Sequence, residues 1–146
     1  MEFSARSRSY RRASGSDAIS LLVVEDDDLI RKSLLDWLAS VFSDWRLVGT
    51  SSAEAIRLPA EEAPEVIVVD IALSGDDGPG MVRRIAKTFP EAHMVALTMG
   101  GDVEARGPVL SAGASACLPI WKLHEELEPI MRELLTGLDP VECGRR

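Results

Sequence analysis

Four short blocks of this chain are almost wholly apolar: "ISLLVV" at 19–24, "VIVVD" at 66–70, "HMVALT" at 93–98 and "ACLPI" at 116–120. They are short for buried helices and lack the polar alternation of a half-exposed strand. Each therefore fits a strand covered on both faces. Between them the periodicity changes to that of helices. Leu29, Ile30, Leu34, Trp37, Leu38, Val41 and Phe42 make one stripe, opened by an acidic cap. "WRLVGT" adds a strand, and Ser52 is read as the cap of a short helix "AEAIRL" that Pro59 helps to end. "MVRRIAKTF" is a helix stopped by Pro90, and "DVEARGPVLSAG" a helix disturbed by Pro108. A last helix covers "HEELEPIMRELL", where Pro129 either bends the helix or stands in its first turn.

Five strands alternating with five helices imply an α/β domain with a parallel sheet covered on both faces. Right-handed crossovers leave few topologies. The commonest is the flavodoxin-like (βα)5 arrangement, a doubly wound five-stranded sheet in the order 2-1-3-4-5. Pro119 agrees with that order, because the fifth strand is then an edge strand, where a proline is tolerated.

The chain has 146 residues and no internal repeat, so one domain is expected, over residues 19–136. Residues 1–18, with Arg6, Arg8, Arg11 and Arg12 among serines, read as a disordered tail. Twin Arg11-Arg12 is followed by no apolar segment before the acidic cluster, so an export signal is rejected. Residues 137–146 read as a C-terminal tail or the start of a linker. A net charge of −8 argues against direct nucleic-acid binding by the domain. No apolar run approaches the ~18 residues of a membrane span. Cys117 and Cys143 are too far apart for a metal or redox motif, which suits a reducing, cytoplasmic setting.

The chemistry gathers at strand ends. In such a sheet the carboxyl ends of the strands form the binding crevice. The first strand runs into four consecutive acids, Glu25, Asp26, Asp27 and Asp28, and the third ends at Asp70. With those strands adjacent, Glu25, Asp26 and Asp70 are expected to meet at one rim. Asp27 and Asp28 then face water at the helix start. The fourth strand ends at Thr98, before Met99-Gly100-Gly101, whose N–H groups could face an anion. Three acids, a hydroxyl and free amides suit a magnesium ion beside a phosphoryl group.

"LLVVEDDDLIRKSL", "VIVVDIALSGDDGPGMVRRI", "ALT" and "AGASACL" resemble, in order and spacing from about Ile19 to Leu135, the motifs of a response-regulator receiver domain of the CheY-like, two-component type. The resemblance implies a phosphoprotein that accepts a phosphoryl group on Asp70 from a histidine kinase or phosphotransfer protein. It implies a signalling module, capable at most of self-catalysed phosphotransfer and autodephosphorylation. Glu25, Asp26 and Asp70 would bind Mg²⁺ with the backbone carbonyl of Ala72. Thr98 would be the switch hydroxyl, the Met99 backbone would contact the phosphoryl group, and Asp77-Gly78 would form the turn before the third helix. Output would use the face of the fourth helix, fifth strand and fifth helix.

The sequence also departs from the family. Ile120 stands at the lysine position, Trp121 replaces the proline after it, Cys117 stands at the aromatic switch position, and Ser74 replaces a frequent proline. Glu25 replaces the usual aspartate. Without the lysine, phosphotransfer is expected to be slow or absent, without loss of the fold; Mg²⁺ is expected as the cofactor, bound weakly. Lys122, two residues on, would share a strand face with Ile120 and could reach back. A phosphorylation-independent pseudo-receiver, acting as a protein-interaction module, is the alternative reading. A small phosphohydrolase would need an acid two residues after Asp70, where Ala72 stands. Trp37 and Trp45 read as packing, His93 and His124 as element starts, and Cys117 as a small buried hydrophobe. Trp121 lies near the face expected to meet a homodimer or output partner.

Overall fold

The computed structural model describes residues 18–72, 77–99 and 103–137. The expectations for residues 1–17, Ser74, Gly100-Gly101 and residues 138–146 lie outside them. Five parallel strands form one sheet: β1 (Ser20–Val24), β2 (Arg46–Thr50), β3 (Val66–Asp70), β4 (His93–Thr98) and β5 (Ala116–Pro119). Their order is β2-β1-β3-β4-β5, as the alternation predicts. The helices are α1 (Asp28–Val41), α2 (Ser52–Ala55), α3 (Gly78–Thr88), α4 (Val103–Ser111) and α5 (Leu123–Thr136).

β1 and β3 are buried along their whole length, which is why neither shows polar alternation. Their Leu, Val and Ile side chains pack with Leu38, Phe42, Ile85, Leu97, Leu127 and Met131. Each such side chain contributes about 1.5–3 kcal/mol when fully buried. Trp45 is buried and stacks on Phe42, with ring centroids 3.9 Å apart.

Asp27 caps α1 by accepting the N–H groups of Leu29 and Ile30, both at 2.9 Å. Leu34 and Leu38 face the core, but Leu29 is 78% exposed and leaves the predicted stripe. Nine residues at 3.6 per turn place Leu29 about 180° around the helix from Leu38. At α2 the cap is Ser51, not Ser52: its Oγ accepts the Glu54 N–H at 3.2 Å. The helix stops at Ala55, before "IRL".

α5 runs unbroken from Leu123 to Thr136, with Pro129 inside it, so regular helix does not wait for Glu128. Pro129 is exposed, as is Glu125 one turn earlier, so water can take the carbonyl that the missing N–H leaves unpaired. β5 ends at Pro119, one residue short of the predicted strand. Ile120–Lys122 forms a 3₁₀ turn into α5. Gly113, after α4, has φ +127°, and a Cβ there would sit 2.7 Å from the Ala86 Cβ.

Candidate functional site

The carboxyl ends of β1 and β3 lie side by side, and the pairing of Val24 with Val69 brings Glu25 level with Asp70. Glu25 prolongs β1. Its N–H donates to the Thr50 carbonyl at 3.0 Å, and its own carbonyl accepts from Arg31 Nη1 at 2.7 Å. Both acid side chains are buried, each residue being only 4% exposed. Asp70 Oδ1 accepts the Ala72 N–H at 2.9 Å, while Oδ2 is buried without a donor.

Burial and the Asp70 charge beside it push the Glu25 carboxyl up to about 7. The close approach of the Asp70 carboxyl and the Asp26 charge act in the same direction, against the Asp27 N–H. Like charges a few ångströms apart in a buried site cannot both ionise cheaply, so one of the pair retains a proton or a cation enters. Among the described residues, no lysine or arginine is paired with Asp70.

The other three acids of the run diverge. Asp26 is exposed and turned toward Ser52: its Oδ1 accepts the Ser52 N–H at 2.7 Å and its Oδ2 the Ser52 hydroxyl at 3.1 Å. Asp27 is the α1 cap. Asp28 faces water and pairs with Arg31 at 2.6 Å. Among the described residues, no three acidic, histidine or cysteine side chains are placed to hold one metal ion together. The expected three-carboxylate rim is therefore two carboxylates, with the third held aside. Sequence reasoning missed both Ser52 and Arg31. The signal for Ser52 was the Ser51-Ser52 doublet, which supplies one hydroxyl more than a helix cap needs.

Thr98 closes β4 as a buried residue, one step beyond the pairing of Asp70 with Leu97, and Met99 follows it exposed. Asp77 precedes α3 and pairs with Arg84 at 3.3 Å. Gly78 allows close approach, because a Cβ there would meet Ile71 at 3.1 Å. A rim of strand-end acids with a hydroxyl on the next strand is what the sequence resemblance implies. Residues 21–121 match the response regulator receiver domain family. The chain belongs to that family.

The receiver is 29% identical over 126 residues to the transcriptional regulatory protein LiaR of Bacillus subtilis, covering 85% of this chain and 59% of that one. It is 32% identical over 125 residues to the response regulator MprA of Mycobacterium sp. (strain KMS), covering 85% and 54%. It thus spans little more than half the length of these relatives. Among solved structures, the isolated REC domain of RcsB from Salmonella enterica serovar Typhimurium, in the apo form, superposes with a TM-score of 0.73. That match has 18% identity and covers 87% of this chain and 93% of that one. A two-component response regulator of the LuxR family from Aurantimonas sp. gives 0.71 at 23% identity, covering 86% and 91%. These two establish the fold. The chain is thus a receiver domain of the two-component response-regulator type, a class of signalling module. None of the described helices is long and apolar enough to cross a membrane.

The receiver's departures gather at the end of β5. Ile120 is half-buried at the start of the 3₁₀ turn, and Trp121 is 60% exposed. Lys122 does not share an extended face with Ile120, because the strand has already ended; the reach-back expectation loses its basis. Cys117 is buried within β5, paired with Ala96. Receiver domains generally bind Mg²⁺. The donor set here suits such a hard cation: Asp70 Oδ2 lacks a donor, Glu25 faces it, and both are oxygen ligands.

Proposed function

We propose that this receiver accepts a phosphoryl group on Asp70 from a phosphohistidine of a histidine kinase or phosphotransfer protein. Mg²⁺ would be held by Glu25, Asp26, Asp70 and the Ala72 backbone carbonyl. The observation that supports this reading is Asp70 Oδ2, a buried carboxylate oxygen with no hydrogen-bond donor. Such an oxygen costs about 1–3 kcal/mol or more to leave unsatisfied, and an oxygen free of donors is a free nucleophile.

In the step envisaged, Oδ2 forms the new O–P bond as the N–P bond of phosphohistidine breaks, and the imidazole leaves with the electron pair. The Ala72 N–H keeps Oδ1 fixed meanwhile. Bound Mg²⁺ supplies positive charge against the carboxylates and the phosphoryl oxygens. The Thr98 hydroxyl and the Met99 N–H receive the transferred group. The signal then leaves through the face of α4, β5 and α5, where exposed Trp121 offers an aromatic anchor for a second copy or an output partner. The domain works in the cytoplasm and makes no direct nucleic-acid contact, consistent with its net charge of −8.

A second reading, the pseudo-receiver, is favoured by one observation: the lysine position is Ile120, and among the described residues no lysine or arginine is ion-paired with Asp70. Asp70 would then stay unmodified while the same face binds its partner. Intact-mass analysis after incubation with acetyl phosphate and Mg²⁺ separates the two. One added phosphoryl group, lost in Asp70→Asn, supports phosphorylation. An unmodified native chain, with self-association or partner binding unchanged in Asp70→Asn, supports the pseudo-receiver.

A further inference from the structure

We propose that Ser52 is a positioning residue for the metal site, a latch that keeps Asp26 turned away from Asp70 until a divalent cation draws it in. The inference rests on the reading of Glu25, Asp26 and Asp70 as Mg²⁺ ligands. Its basis is that both oxygens of the Asp26 carboxylate are already engaged by a single residue on another element. The Ser52 N–H donates to Oδ1 at 2.7 Å and the Ser52 hydroxyl to Oδ2 at 3.1 Å. The bond spans 26 positions of sequence and ties the β1–α1 junction to the β2–α2 junction.

The local chain makes these two donors available. Ser51 is the helix cap and serves the Glu54 N–H, so Ser52 is the first helical residue of α2. The N–H of a first helical residue has no acceptor within its own helix. The Ser51 hydroxyl completes the cap by also donating to Glu54 Oε1 at 3.0 Å. One serine of the doublet thus closes the helix and the other holds Asp26.

The consequence for the site is competition. Each oxygen keeps a lone pair free, but a carboxylate held on both oxygens by Ser52 is fixed in direction, so turning it toward a cation beside Asp70 loosens at least one of the two bonds. Ser52 therefore lowers the affinity for Mg²⁺ without touching the metal.

Two variants grade the latch. Ser52→Ala removes the hydroxyl and keeps the N–H. Ser52→Pro removes both donors at a position where proline suits the first turn of a helix. The preceding Ser51 is extended, at φ −76° and ψ 166°, as a residue before proline prefers. The metal-free full chain is titrated with Mg²⁺ by calorimetry, and the Asp26 carboxyl is followed by carbon NMR. The dissociation constant is expected to fall about threefold in Ser52→Ala and about tenfold in Ser52→Pro. In an Asp26→Asn background the Ser52 substitutions should change nothing. An affinity unchanged or weakened by both substitutions overturns the latch and leaves the Mg²⁺ reading intact. Absence of Mg²⁺ binding in native and variant chains alike overturns the Mg²⁺ reading, and the latch falls with it. If Ser52→Pro fails to fold, Ser52→Ala decides.

Discussion

Replacing Ile120 with lysine tests what the apolar residue at the end of β5 does to phosphorylation. An ammonium 4 Å from a carboxylate gains about 4 kcal/mol at an effective dielectric of 20. Mutational loss of one charge-stabilising donor gives a similar figure, about 3–4 kcal/mol. Ile120 is only half-buried, so solvent screens part of this gain. A lysine held in one geometry also loses up to about 2 kcal/mol of rotamer freedom. A net gain of about 1.4 kcal/mol is the conservative expectation, a tenfold faster reaction. The assay compares modification by acetyl phosphate and by beryllofluoride in the native chain and in Ile120→Lys, with Asp70→Asn as blank. Slow, partial modification of the native chain and at least tenfold faster modification of Ile120→Lys are expected. Rapid, stoichiometric modification of the native chain, unchanged by the substitution, would refute the reasoning. Lys122→Ala would then ask whether the α5 start supplies the missing charge.

Glu25 holds, up to about pH 7, a proton that the unfolded chain releases near its ordinary value of 4.5. The folded-state value is raised, so the associated stability is complete below about pH 4.5 and lost as pH rises through 7. The loss is about 3 kcal/mol. Urea unfolding of the metal-free chain at pH 5 and pH 8 should show it, and Glu25→Gln should flatten the difference; an equal slope in both chains contradicts the buried acid pair. Pro129→Ala should stabilise the fold by about 1–3 kcal/mol, because it restores an N–H in the middle of α5 and Pro129 is exposed. A thermal midpoint unchanged or lowered would show that the helix does not register the proline. Gly113→Ala should cost about 1–3 kcal/mol through positive φ and the approach of Ala86, read as a lower urea midpoint; an unchanged midpoint would mean that the turn re-forms.

The sheet was legible because burial on both faces leaves a local mark: β1 and β3 are unbroken apolar runs, and Pro119 announces an edge. The pairing of Glu25 with Asp70 followed once the order was assumed, since adjacent parallel strands end at one rim. Asp26 was not legible in the same way. Its partner, Ser52, lies 26 residues away, and two neighbouring serines offer the same cap signal to a local reading. Whether Ser51 or Ser52 closes α2 depends on where the chain leaves β2. Ile120 failed for a related reason, since apolar character continues past the point where strand geometry stops. Leu29 and Glu126 break the stripe rule from opposite sides. The leucine sits across the helix from Leu38, and the buried acid on α5 keeps Oε2 without a partner.

The four acids after β1 have one further consequence, for how this receiver can be varied. Exchanging Glu25 and Asp26 would leave mass and composition untouched, so no method that weighs the protein would notice. Yet the two positions differ in what surrounds them, and the residues differ in reach by one methylene. The exchange would draw the buried carboxylate back from Asp70 and push the other past Ser52. An exchange of Asp27 with Asp28, by contrast, is the identity. The run looks redundant on paper, but each place in it is addressed by a different neighbour: Asp70, Ser52, the α1 amides and Arg31. Its information lies in order alone.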